Sequence, residues 1–246
     1  MHSKGKYGTT IFTIALLLIL TAVFYRVPAL LEPDKVFLTI STFLFTIFTG
    51  FFIQRQGARY SKLRETVAAL DGKYSNIYRV SGHITAKLQM DIGEIIIAYY
   101  QKILQTEQWD YHFTHKSSTI TSIHHLLDRD ASDEKLSNIK NQSLGAIIKC
   151  LGDAQDLRKQ MVALREERIP HFQWVLIYFF MIILLATVAS LGSYEMVFPA
   201  VLKAAFIVSV VSVIIILHKL DNLSMFEGVI GEHSAKDVIG IIRGDK

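Results

Sequence analysis

The stretch "VFLTISTFLFTIFTGFFIQRQ", residues 36–56, is apolar enough to lie in lipid, yet threonine returns at positions 39, 42, 46 and 49. A helix turns by about 100° per residue, which places Thr39, Thr42, Thr46 and Thr49 within an arc of roughly 80°. Lys35 and Ile53 share that arc and Gln56 ends it. Phe37, Phe45, Phe48, Phe51 and Phe52 fall on a separate side. The stretch therefore reads as one membrane helix with a hydroxyl face and a phenylalanine face.

Polar groups on membrane helices face protein or water rather than lipid. Two readings of the hydroxyl face follow. The threonines bond the carbonyls four residues back and let helices pack closely, as small polar residues do. Alternatively, several copies of the helix surround an axis, and the stripe lines a water-filled path. A four-helix monomer has little room for a pore between its own spans, so the second reading requires an oligomer.

Outward from this stretch, the 246-residue chain is 51% hydrophobic, with its apolar residues gathered in runs at 9–25, 36–53, 172–192 and 196–217. Each approaches or reaches the roughly 20 residues needed to cross a ~30 Å hydrocarbon layer. Lys4 and Lys6 ahead of the first run imitate a secretory signal, but "YRVPALLEP" is a poor cleavage site, and the run reads as a retained first helix. The expected fold is an all-α membrane protein: four transmembrane helices with a helical cytoplasmic domain inserted between spans two and three. The expected parts are 9–53 for spans one and two, 54–170 for the insert, 171–217 for spans three and four, and 218–246 for a cytoplasmic tail.

Arg55, Arg59, Lys62 and Arg64 follow span two, and Arg158, Lys159, Arg165 and Arg168 precede span three. Basic residues near span ends favour the cytoplasmic side. Both termini and the insert are thus expected inside. The net charge of +4 follows from that topology, and the basic residues are interleaved with acids, so no nucleic-acid partner is implied. Lys203, inside the fourth run, reads as a lysine that snorkels outward or, with Lys35, as positive charge in an outer vestibule. Ala204, Ala205, Ser209 and Ser212 suit close helix contact in the bundle.

The insert carries helical periodicity throughout. Residues 59–70 continue span two, and "DGKYSN", 71–76, is turn chemistry that should end that helix. Residues 84–109 repeat apolar positions at 88, 92, 95, 96, 99, 103 and 104, and "SSTITSIHHLLD" is a shorter helix. A further helix is expected from a cap at Ser132, with Leu144, Ile147, Leu151, Ala154, Met161 and Leu164 as its apolar stripe; Pro170 stops it before span three. In the tail, Ser234 with Asp237 reads as a helix start.

Chemistry is sparse. Cys150 is the single cysteine, which excludes an intrachain disulfide and any multi-thiolate metal site and suits a packing role. His112 and His115 are three apart and His124 and His125 adjacent, but a metal site normally needs a third ligand in a held geometry. No phosphate loop, nucleophile elbow or zincin motif is present. The expectation is no enzyme, no cofactor and no metal site.

Four segments carry a family resemblance: "ETVAALDGKYSNIYR" at 65–79, "YYQKILQTEQW" at 99–109, "RIPHFQW" at 168–174 and "KLDNLSMFEG" at 219–228. With the order of spans and insert, they resemble the bestrophin-like domain family, membrane proteins related to bestrophins, over nearly the whole chain. The tail departs from the pattern at Leu223 and Ser224, and Gln108 splits the acid–tryptophan pair. The resemblance implies a homopentamer in the bacterial inner (plasma) membrane, with span two around a central axis and inorganic ions, anions such as chloride above all, as the cargo. Ile53 would form an apolar constriction at the inner end, with threonine rings above it. No calcium-clasp acids carry over. The alternative is a non-conducting membrane sensor or scaffold acting through its helical insert. A transporter is disfavoured, since no broken helices stand in corresponding halves.

Overall fold

The computed structural model describes residues 4–26, 35–115, 118–131, 138–191, 196–224 and 230–245, except the side chains of 4–13, 35, 114 and 130–131. Among the described residues there are helices and no strand: α1 (Lys4–Arg26), α2 (Lys35–Ser81), α3 (Ala86–Thr106), α4 (Tyr111–Thr114), α5 (Thr119–Ala131), α6 (Asn138–Glu166), α7 (His171–Ser190), α8 (Val197–Asp221) and α9 (Glu232–Arg243). The cap expected at Ser132 lies outside the described residues.

The chain divides into two compact units. The first comprises Met1–Ala58 and Arg168–Met225, the second Arg59–Glu167 and Phe226–Lys246. Residues 230–245 are thus grouped with the insert in the second unit.

In the first unit, α1 and α7 each lie against α8. Phe45 and Phe52 of α2, Ile177, Leu184 and Val188 of α7, and Ile207, Ile214 and Leu217 of α8 form its buried core. The outward surface is also apolar: Phe43, Ile47, Phe51, Phe179, Ile182, Phe198 and Leu202 are all exposed. Water-soluble surfaces rarely carry so continuous an apolar cover. Three helices, those starting at Val36, His171 and Val197, are long and apolar enough to cross a membrane. The expected first span falls in α1, whose described side chains, Ile14–Arg26, make a shorter apolar helix.

The helix α2 has 47 residues. At 1.5 Å per residue it is about 70 Å long, more than twice the thickness of a ~30 Å hydrocarbon layer. Only its apolar first part suits lipid. The expected break at "DGKYSN" does not occur. Tertiary partners outweigh the local turn preference there, which costs only about 1 kcal/mol for a helical glycine. Asp71 accepts from Tyr100 at 2.5 Å, Lys73 pairs with Asp153 at 2.6 Å, Asn76 donates to the buried Cys150 sulfur at 3.2 Å, and Tyr74 and Ile77 are buried. The helix ends ten residues later at Ser81, whose hydroxyl turns back to Tyr78 O at 2.7 Å.

In the second unit α3 is central, lying against α4, α5 and α9, with α5 also against α6. Thr85 caps α3 by accepting from Leu88 N at 3.0 Å. The periodic residues Leu88, Ile92, Ile96, Tyr99 and Ile103 are buried as the spacing predicts, and so are Ile147, Leu151, Ala154 and Met161 of α6. The helix α9 starts at Glu232 after Gly231, two residues before the Ser234 start expected from the capping pattern. Gly231 has a φ of +80°, and a Cβ there would stand 2.5 Å from Val67 Cγ1. Glycine alone lets the chain turn into α9 this close to α2. At the far end of α9, Tyr78 donates to Ile242 O at 3.1 Å.

Candidate functional site

The threonine face of α2 is divided by its surroundings. Thr39 and Thr46 are exposed, Thr42 is half-buried, and Thr49 is only 3% exposed. Thr42 donates to Leu38 O at 2.8 Å and Thr49 to Phe45 O at 2.7 Å, so both hydroxyls are satisfied within the helix. Ile53 is half-buried and packs against the core of the first unit. The helix turns Phe45, Thr49, Phe52 and Gln56 toward its own unit. Thr39, Thr46 and Gly50 stay open, and no atom lies within 4 Å of where a Gly50 Cβ would be. Of the expected pore positions, the structure therefore keeps Thr39 and Thr46 accessible, Thr42 in part, and sets Thr49 and Ile53 against the unit's interior.

The two expected vestibule lysines differ in what is described. The side chain of Lys35 lies outside the described residues. Lys203 is buried, 7% exposed. Its ammonium donates to Ala189 O at 3.2 Å and to Leu191 O, and stands 4.7 Å from the centre of the Phe24 ring. Those carbonyls close the C-terminal end of α7, where the helix dipole favours a cation. The ammonium thus reaches toward the end of the span, as snorkelling implies, but it ends on protein carbonyls, which no spacing rule could have named.

The same use of cations recurs in the second unit. Arg59, 4% exposed, donates to Leu164 O at 2.5 Å and Arg165 O at 2.9 Å, in the last turn of α6. Arg158 donates to His112 O at 3.0 Å, and Arg165 pairs with Asp110 at 2.7 Å. Charges that read as topology signals in the sequence are here also helix-end and loop fasteners.

The four resembling segments meet in pairs, each around a buried aspartate. In the first unit, Asp221 of "KLDN" accepts from Ile169 N at 2.8 Å and from the Trp174 indole at 3.3 Å, both in "RIPHFQW". In the second unit, Asp71 of "LDGKYSN" accepts from Tyr100 of "YYQK". The rings of Tyr74, Tyr99 and Tyr100 meet edge to face at 5.1–6.1 Å between centres. Burial pushes the Tyr99 and Tyr100 hydroxyls well above their ordinary pKa, so they remain neutral donors. Asp71 Oδ2 has no hydrogen bond of normal geometry, although the Ser234 hydroxyl is close enough to act on the carboxylate. Beside it lies a void of about 20 Å³ lined by Val67, Tyr100, Trp109 and Gly231, room for a single water.

His112 and His115 each donate one ring nitrogen to a carbonyl, Tyr99 O at 2.9 Å and Tyr111 O at 3.1 Å. Among the described residues no three potential metal ligands gather.

Apolar exposed helices around a small apolar core define an integral membrane protein of the helical class. A family model described as "Bestrophin-like domain" matches residues 11–230, and the chain belongs to that family. No curated protein and no solved structure gives a match.

Proposed function

We propose that the protein is an oligomeric, pentameric ion channel whose α2 helices surround a central path. One observation carries this reading: Thr39, Thr46 and Gly50 are exposed on one face of α2, which they share with the exposed Phe43, while Phe37 and Phe51 are exposed on another side. Polar side chains on membrane helices face protein or water rather than lipid, and around an axis these hydroxyls substitute for part of an ion's water shell. Membership of the bestrophin-like family supports it. In this reading Thr39, Thr42 and Thr46 form the rings, while Thr49 and Ile53 join them only where a half-turn of the helix toward the axis frees them from the core. Neutral rings select charge weakly, so a preference for chloride rests on Lys35. In this reading α1 counts as a fourth span of a bacterial inner-membrane protein, the basic residues flanking the insert put both termini and the second unit on the cytoplasmic side, and the protein has no catalytic role.

The test is ion flux in proteoliposomes with subunit counting by single-particle imaging. Wild-type protein should pass halide, and Thr46→Phe should cut the flux at least tenfold while leaving the assembly intact. Monomeric particles, or flux indifferent to Thr46→Phe, would end this reading. The second unit, compact by itself, favours one rival: a sensor or scaffold that works through that unit and conducts nothing.

A further inference from the structure

The second unit carries an open cleft of about 370 Å³ on its surface that the channel reading does not use. That volume lies in the range of small-molecule pockets. Its wall brings together Lys102 from α3, His112 from α4, His115 just beyond it, and Ser118, Thr119 and Ser122 at the start of α5. Among the described residues no acidic side chain lines it. Two ring stacks build the wall: His112 on Tyr99 at 4.0 Å, and His115 on Tyr111 at 4.2 Å between centres.

The charge on this wall is one-sided. Among the described residues no carboxylate pairs with Lys102, whose ammonium stands 5.5 Å from the centre of the Tyr111 ring. The first turn of α5 carries no acid, so nothing within that turn offsets the positive end of its dipole. His112 feels the result. Burial lowers its pKa first, the hydrogen bond to Tyr99 O opposes, and Arg158, His115 and Lys102 push it down further. Lys102 of α3 and Arg158 of α6 thus already bring positive charge toward His112. Hydroxyls, a lysine and a helix start around one space match the several acceptor oxygens of a tetrahedral oxyanion. The space is far larger than a bare halide needs.

We propose that this cleft binds a small phosphate-bearing ligand, held by Lys102, by the hydroxyls of Ser118, Thr119 and Ser122, and by the first turn of α5. The phosphate belongs either to a soluble phosphomonoester or to a lipid headgroup. The inference does not depend on ion conduction.

The full chain in phosphatidylcholine nanodiscs is titrated with inorganic phosphate and with glycerol 3-phosphate at constant ionic strength, chloride replacing them in the control. The unfolding midpoint and calorimetric heat are read. A parallel set of nanodiscs contains phosphatidic acid and no soluble phosphate. The site predicts a saturable upward shift in at least one arm, with affinity reduced at least tenfold in Lys102→Gln and at least threefold in Ser122→Ala, and unchanged in Lys62→Gln. A response to the soluble probes assigns a phosphomonoester, and a response to phosphatidic acid alone assigns a headgroup. Lys102 and Ser122 are not in the buried core, and each variant's unliganded midpoint should match wild type. No shift in any arm, or an equal shift in Lys102→Gln, overturns the proposal.

Discussion

Asp71 and Asp221 are equally hidden from solvent, 3% and 6% exposed, yet the two units treat them differently. Asp221, at the end of α8, has both oxygens engaged by the chain that leads into α7. Asp71, midway along α2, has one oxygen engaged by Tyr100, while the other faces a small void without a hydrogen bond of normal geometry. A buried carboxylate with full partners fastens two segments. One with a spare acceptor leaves part of its desolvation uncompensated. The first unit thus uses its aspartate as a bolt, and the second retains one that a neutral residue can replace.

Asp221→Ala should be the most damaging change. It strips partners from the buried Ile169 amide and the Trp174 indole, and hydrogen bonds to a charged group contribute about 1.5–3 kcal/mol each. A loss of about 3 kcal/mol or more is expected in reversible unfolding of the detergent-solubilised protein. An effect under ~1 kcal/mol would mean that water readily takes over the role.

Gly231→Ala comes next, because it acts beside Asp71 rather than on it. The left-handed backbone costs a non-glycine residue about 1–2 kcal/mol, and the new methyl collides with Val67. Protease should then release α9 before the rest of the second unit is cut. Adding Val67→Ala should recover part of the loss, since it removes the collision and not the backbone strain. A double variant no better than the single one would show that the collision is harmless.

The smallest effect separates the two aspartates most sharply. Asp71→Asn keeps an acceptor for Tyr100 and removes a buried charge, so stability should change by less than about 1 kcal/mol, in the favourable direction. Tyr100→Phe instead removes the donor from Asp71 Oδ1 and should cost about 1–3 kcal/mol. If Asp71→Asn proves as damaging as Asp221→Ala, the contrast between the units fails.

Much of the fold was legible from periodicity. The apolar runs, the stripe of α3 and the stripe of α6 depend on the helical repeat, and the repeat survives in the structure. What periodicity leaves open is which neighbour covers a face. The angle of Thr49 on the helix was readable, but its burial was not, because burial depends on tertiary neighbours that the angle does not name. "DGKYSN" carries local turn chemistry, and only Tyr100, Asp153 and Cys150 explain why it stays helical. Arg59, Arg158 and Arg165 were visible as charges near a membrane span. Their use on helix ends and on Asp110 was not, because a guanidinium's partner is set by tertiary packing.

Lys203 has a consequence for how the protein is made. It stands about 9 Å along α8 from Val197, short of the centre of a ~30 Å hydrocarbon layer, where a lysine would cost roughly 2.5–3.5 kcal/mol by the mildest measure. Its carbonyl partners belong to the end of α7. A ribosome delivering α8 alone would present the bilayer with a bare ammonium. Delivered with α7 as a hairpin, the charge enters already solvated by protein, so the two helices are expected to leave the translocon together.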